Sequence, residues 1–367
     1  MEITAAVARE ACKPFSIESV ELDEPQENEV LVRMVAVGIC HSDIAARDQA
    51  LPFGLPAVLG HEGAGVVEKV GAGVSKLKVG DKVVLTVPYC GHCSNCERDE
   101  ISYCENGMEL MYAGVRPDGT NTICHGDEKL NAHFFGQSSF ATYALSHERN
   151  AVKMSDDTNL TLAAPLGCGV QTGAGAVLRS LNAQAGRAIA VFGAGTVGMS
   201  AVMGAKIAGC NPIIAVEPVK ERRDLALQLG ATHVIDPMAG DTVEAIRSIV
   251  PRGVDYAVDT SAVVKVLEDV MASVARHGQV AMLGVPHNPE AVLPLSVLGF
   301  LASGVTLKGV IEGDTIPDSF IPELYSWYEQ GKLPLEKLVS TYNFEDINQA
   351  IDDQLAGKVM KPVIVFG

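Results

Sequence analysis

The sequence predicts a two-domain α/β protein: an antiparallel, barrel-like β unit joined to a parallel sheet that alternates with helices. Three observations lead there. Short β-branched runs fill the first ninety residues, strands and helices alternate from about Arg187 onward, and a glycine-rich turn follows the first strand of that alternating series. The 367-residue length suits two domains, each able to bury its own core.

Along the first unit, Val30–Val37, Gly65–Val70 and Asp81–Val87 read as short strands punctuated by Gly and Pro. In the second, Ala188–Phe192, Pro212–Val216, Val254–Val258 and Gln279–Leu283 read as strands, with helices over Thr196–Gly209 and Lys220–Leu229. Such a series implies right-handed βαβ crossovers. After it come helical patterns at Pro317–Gln330 and Phe344–Ala356, and a last strand, Val363–Phe366, able to close back onto the first unit.

Composition narrows the function. Hydrophobic residues make up 47% of the chain and charged residues 20%, which describes a packed globular protein. The 28 Lys and Arg against 45 Asp and Glu leave a formal charge of −17, which disfavours nucleic acid and anionic membrane surfaces as partners. The most permissive stretch for a membrane span, Val191–Cys210, is broken by five glycines and Lys206. Met1–Thr4 has neither a basic nor an apolar leader, so the expectation is a cytoplasmic protein whose nine cysteines stay reduced. Metal binding is then the better use for them.

Cys90, Cys93, Cys96 and Cys104 form C-x-x-C-x-x-C-x7-C. Four thiolates so close together can enclose a tetrahedral Zn²⁺ at about 2.3 Å per bond with no open position, which makes a structural site. An iron–sulfur cluster also takes four cysteines, but its usual spacings differ, and Glu105 stands where proline would follow the fourth. Cys40, His61 and Cys168 each lie in a glycine-rich turn. Together they would make a Cys2His set with one position open, the catalytic kind of zinc site, although spacing alone does not bring them together.

Ile189–Gly198 runs from a strand into G-x-G-x-x-G at Gly193, Gly195 and Gly198 and then into a helix. This is the pattern that places a dinucleotide pyrophosphate at a helix N-terminus. Glu217 ends the next strand about 20 residues on, where an acid binds the adenosine ribose diol and repels a 2′-phosphate. NAD is therefore favoured over NADP. Arg222 and Arg223 fit either cofactor contact or a solvent-facing helix surface.

From these residues the chain is identified as resembling the zinc-dependent medium-chain alcohol dehydrogenases, from end to end. Gly60-His61-Glu62, with Gly65, Gly71 and Val74 at the family's spacing, matches its zinc signature beside the four-Cys lobe and the nucleotide turn. The resemblance implies a GroES-like catalytic domain over 1–169 and 313–367, with a structural zinc lobe at about 88–106, and a Rossmann domain over 170–312. It implies two zinc ions per subunit and NAD. It assigns Cys40, His61 and Cys168 to the catalytic zinc, with Glu62 as the acid that can approach the metal, and Asp43 as the carboxylate behind the ligand histidine. Ser42 matches the hydroxyl that contacts the substrate oxygen. Thr172, Val197 and Val285 match positions lining the nicotinamide, and Lys361 and His41 match positions near the pyrophosphate.

Ala45 departs from members that carry a histidine there as the last base of the proton path. Within the family, Phe134–Tyr143, Pro165–Gly175 and Glu312-Gly313 resemble the microbial aryl-alcohol and geraniol-type enzymes. The implied reaction is reversible oxidation of a primary aromatic or allylic alcohol by a homodimer or homotetramer. Alternatives are an S-(hydroxymethyl)glutathione or aliphatic alcohol dehydrogenase, or a zinc-free NADPH quinone or enone reductase.

Overall fold

Residues 1–286, 288 and 290–367 are described by a computed structural model of the chain. Its contacts divide it into two units, Met1–Cys168 with Ile316–Gly367, and Gly169–Thr315. The fold is that of a GroES-like barrel unit and a Rossmann unit.

In the first unit, strands β1 (Glu2–Ala8), β2 (Ser16–Leu22), β3 (Glu29–Gly38), β4 (Ala57–Val58), β5 (Glu62–Val70), β6 (Lys82–Leu85), β7 (Ile123–His125), β8 (Glu128–Leu130), β9 (Tyr143–His147) and β10 (Ala151–Lys153) form two sheets with the C-terminal strands. One sheet runs β4-β1-β2-β7-β8. The other is centred on β3, which pairs antiparallel with β5 and β9. The run Val30–Val37 is almost continuously apolar because β3 is buried on both faces. Leu31 packs with Ile3, Val7 and Val20, whereas Val30 and Val32 pack with Val67, Val83 and Leu85.

Strands β11 (Ile189–Phe192), β12 (Ile213–Val216), β13 (His233–Ile235), β14 (Val254–Asp259), β15 (Val274–Met282) and β16 (Thr306–Gly309) form the second unit's sheet, in the order β13-β12-β11-β14-β15-β16 and all parallel. Strand order reverses beside β11, the switch point where such sheets bind ligands. β15 begins five residues earlier than the pattern suggests, with its register shifted against β14 between Val254 and Tyr256.

The last strands, β17 (Val339–Asn343) and β18 (Lys361–Val365), return to the first unit, with β18 antiparallel to β3 at Ala36–Gly38. This places Lys361 under the turn that carries Cys40. Among the described residues, no helix is long and apolar enough to cross a membrane.

Candidate metal centres and nucleotide site

The first centre is built from three chain turns. Cys40 ends the loop after β3 and precedes the helix His41–Arg47, His61 lies immediately before β5, and Cys168 follows the short helical segment Ala164–Gly167. A ligand atom from each of Cys40, His61, Glu62 and Cys168 lies within 4.8 Å of the others. His61 and Glu62 are buried; Cys40 and Cys168 are half-buried. The turn needs glycine at Gly60, whose φ is +93° and whose added Cβ would meet the Phe140 amide nitrogen at 2.5 Å.

One carboxylate organises the turn. Asp43 accepts from His61 Nδ1 at 2.8 Å, from the Gly60 amide at 3.1 Å and from the Cys40 amide at 2.9 Å. With Nδ1 committed, Nε2 is left buried without a hydrogen-bond partner. A buried nitrogen in that state beside two sulfurs fits a metal ion better than packing alone. A hydrogen bond from Cys168 and the charge of His61 hold the Cys40 thiol well below the ordinary range, against the effect of burial. Thiolate, carboxylate and the imidazole nitrogen that a metal would free of its proton form a donor set that suits zinc.

Behind it, both oxygens of Glu62 accept from Lys361 Nζ at 2.9 Å, and the same ammonium donates to the Ile39 carbonyl at 3.0 Å. Burial pushes the Glu62 carboxyl up against the pull of Lys361. The Lys361 ammonium is itself held charged by Glu62 against the same burial. Lys361, matched in the sequence to a pyrophosphate-side position, pairs with Glu62 in the interior of its own unit, because β18 runs beneath the Cys40 turn. Ser42 is half-buried in the helix after Cys40, its Oγ 4.0 Å from the Cys40 sulfur. His41 stands exposed at the start of that helix.

The second centre gathers Cys90, Cys93, Cys96 and Cys104, again with sulfurs within 4.8 Å. Backbone amides point into it: Cys93 to Cys90 Sγ at 3.3 Å, Cys90 to Cys104 Sγ at 3.2 Å, and Glu105 to Cys93 Sγ at 3.4 Å. Burial opposes the shift at Cys90, but amides and its neighbours bring that thiol down to about 6; burial pushes Cys96 up to about 12. Four such thiols ionise together only around a cation, so the set fits a closed structural zinc.

In the Gly169–Thr315 unit, the glycine turn joins β11 to the helix Thr196–Ala208. A Cβ on Gly198 would strike the Gly193 carbonyl at 1.9 Å, which is why the helix can approach the strand so closely; a Cβ on Gly195 would meet nothing within 4 Å. No side chain caps the helix at Gly195. That open cradle at a helix N-terminus fits a pyrophosphate. Glu217, almost fully buried, accepts from the Ala194 amide at 2.7 Å and the Val219 amide at 3.0 Å, fastening the end of β12 to the turn. Arg222 is half-buried. Its neighbour Arg223 donates to the Glu217 carbonyl at 2.7 Å and pairs with Asp236 at 2.9 Å. Val197 is half-buried, Val285 exposed, and Thr172 donates to Glu312 at 3.3 Å.

Two residues in contact with the first centre lie in the stretch Phe134–Tyr143, for which the sequence pattern marks no role at the centre. Phe135 stacks on the His61 ring, and Gln137 bonds the backbone on both sides of Glu62.

Comparison with known proteins agrees with this geometry. The alcohol dehydrogenase GroES-like domain family matches residues 26–156, and the zinc-binding dehydrogenase family matches residues 196–329. A geraniol dehydrogenase of Castellaniella defragrans is 43% identical over 99% of this chain and 97% of its own. The crystal structure of a benzyl alcohol dehydrogenase from Acinetobacter calcoaceticus superposes with a TM-score of 0.97 at 42% identity, covering 100% of both chains. A zinc-binding-domain alcohol dehydrogenase from Burkholderia ambifaria gives 0.98 at 47% identity, over 100% of this chain and 99% of that one. The chain belongs to the zinc-dependent medium-chain alcohol dehydrogenases, in the group that includes the geraniol and benzyl alcohol enzymes.

Proposed function

We propose that this protein reversibly oxidises a primary aromatic or allylic alcohol, of the benzyl alcohol or geraniol type, to its aldehyde, with NAD⁺ as hydride acceptor. The observation that carries the reading is the convergence of Cys40, His61, Glu62 and Cys168 within 4.8 Å. The similarity to a geraniol and a benzyl alcohol dehydrogenase supports the substrate class.

Cys40, His61 and Cys168 would hold the catalytic zinc, and the four cysteines from Cys90 to Cys104 the structural one. Bound zinc supplies Lewis acidity, which acidifies water from about 15.7 to about 7, and a similar shift on an alcohol is worth about 12 kcal/mol. NAD⁺ supplies the hydride acceptor. Asp43 fixes the His61 ring so that Nε2 faces the ligand set. Ser42 Oγ would take up the hydroxyl proton of the alcohol and pass it outward, and Ala45 leaves the helix His41–Arg47 without a terminal base for that proton. Gly193, Gly195, Gly198 and the helix N-terminus cradle the pyrophosphate. The Glu217 oxygens keep lone pairs for the ribose hydroxyls, and their charge disfavours NADP.

The protein works, in this proposal, as a cytoplasmic homodimer or homotetramer. Support comes from β16, the last strand in the order of its sheet, and from Val297, Leu298 and Leu301, which lie exposed on the helix Val297–Ser303.

Cys40→Ala and Cys168→Ala test the reading. Each is expected to abolish turnover, keep the native circular dichroism and hold one zinc per chain where the native protein holds two. Turnover retained in Cys40→Ala protein with a single zinc would contradict it.

A further inference from the structure

We propose that the segment His133–Phe140 is a clamp on the first metal centre, with Phe135 and Gln137 as positioning residues for His61 and Glu62. The inference rests on the reading that zinc is held by Cys40, His61 and Cys168.

Phe135 lies over the His61 imidazole with ring centroids 4.4 Å apart and planes 24° from parallel. Phe134 meets the same imidazole edge-on at 5.7 Å, and Tyr112 braces both phenyl rings at 6.1 and 5.4 Å. Asp43 fixes the ring at Nδ1, so the Phe135 stack is the second restraint, the one that resists tilting of the imidazole plane.

Gln137 acts on the backbone. Its Nε2 donates to the His61 carbonyl at 2.9 Å, and its Oε1 accepts from the Gly63 amide at 3.1 Å and from Ser139 Oγ at 2.5 Å. A single buried amide thus brackets Glu62 on both sides. The rest of the segment is fastened along the same turn: Ser138 Oγ donates to the Val58 carbonyl at 2.6 Å, and the Ser139 and Phe140 amides donate to the Gly60 and Leu59 carbonyls at 2.9 Å.

The segment is held in a conformation it would not adopt alone. His133, Phe135 and Ser138 have φ of 61°, 50° and 53°. Non-glycine residues stay in that region only where surrounding contacts over-determine them, and such positions cluster at functional sites. The stack also discriminates between states of the centre. An imidazole bound to a dication is poorer in electrons than a free one, so the phenyl face attracts it more strongly. The clamp therefore favours the metal-loaded state, beyond filling space around His61.

The test uses zinc-loaded native protein, Phe135→Leu, Phe135→Tyr and Gln137→Met, with Phe320→Leu as control. Phe320 is likewise buried in the same unit but packs edge-on against Trp327 at 6.2 Å, outside the clamp. Zinc transfer to a chromophoric chelator is timed and counted per chain, and the visible spectrum of the cobalt-substituted proteins is recorded. One of the two zincs is expected to leave about tenfold faster in Phe135→Leu and Gln137→Met, the scale on which outer-shell partners act on metal affinity. The cobalt bands shift in the same two variants, and Phe135→Tyr retains native behaviour. Native release rates in both variants, or equal acceleration in Phe320→Leu, would overturn the clamp. Native protein holding a single zinc would instead overturn the reading of the centre, and the clamp with it.

Discussion

Asp43 shows how few groups define the first centre: one carboxylate receives the His61 ring, the Gly60 amide and the Cys40 amide. Asp43→Asn keeps the shape but replaces one acceptor by a donor. It is expected to weaken zinc binding by about 10- to 100-fold in competition with a chelator. Lys361→Met leaves the fully buried Glu62 without its cation, and breaking such a pair costs about 3–5 kcal/mol, measurable as a lower urea midpoint. Adding Glu62→Gln should recover much of that loss. Ala45→His supplies the missing terminal base, and turnover is expected to rise at acidic pH relative to the native chain. The candidate ligands were marked by glycine-rich turns around Cys and His at the family's spacing, and the structure brings their ligand atoms within 4.8 Å of one another. The pairing of Lys361 with Glu62 was not legible, because the two lie 299 residues apart and only the return of β18 under β3 joins them.

At the scale of elements, the Cys90–Cys104 lobe has two short helical turns, Cys96–Arg98 and Ile101–Tyr103. Its own core consists of the four cysteines and Ile101, with Tyr89 and Leu110 packed against it. So small a core leaves the metal to hold the lobe, at about 10–16 kcal/mol for a structural zinc. Removing that zinc should make Cys90–Cys104 the first site of limited proteolysis, while β11 to β16 stay protected. A second effect belongs to the end of β9. His147 Nδ1 accepts the Arg149 amide at 3.1 Å, and burial brings this imidazole down to about 4. The unfolded chain then binds the proton first, so stability is complete above about pH 6.5 and is lost as pH falls toward 4. Melting temperature should drop over that window, and less steeply in His147→Asn, which keeps an acceptor but takes up no proton. Strands and helices of the second unit followed from apolar periodicity and the glycine turn. The segment 133–140 did not, because left-handed residues and a bracketing glutamine leave no period to read.

For the whole molecule, the exposed Val297, Leu298 and Leu301, on the helix that precedes β16 in the chain, are the surface the proposal gives to a second copy. Leu298→Glu with Leu301→Glu should shift the native particle toward monomer in sedimentation, with the zinc content unchanged. Two-domain organisation was legible from the change of rhythm near Arg187, whereas the number of subunits has no signature in local pattern. The most direct test of the central claim is the initial rate of nicotinamide reduction by zinc-loaded protein with NAD⁺ and with NADP⁺, across benzyl alcohol, geraniol, ethanol and S-hydroxymethylglutathione. Fast turnover with NAD⁺ on benzyl alcohol or geraniol, and slow turnover elsewhere, is the predicted result. Inactivity on every alcohol, with reduction of an enone or quinone by NADPH instead, would contradict it.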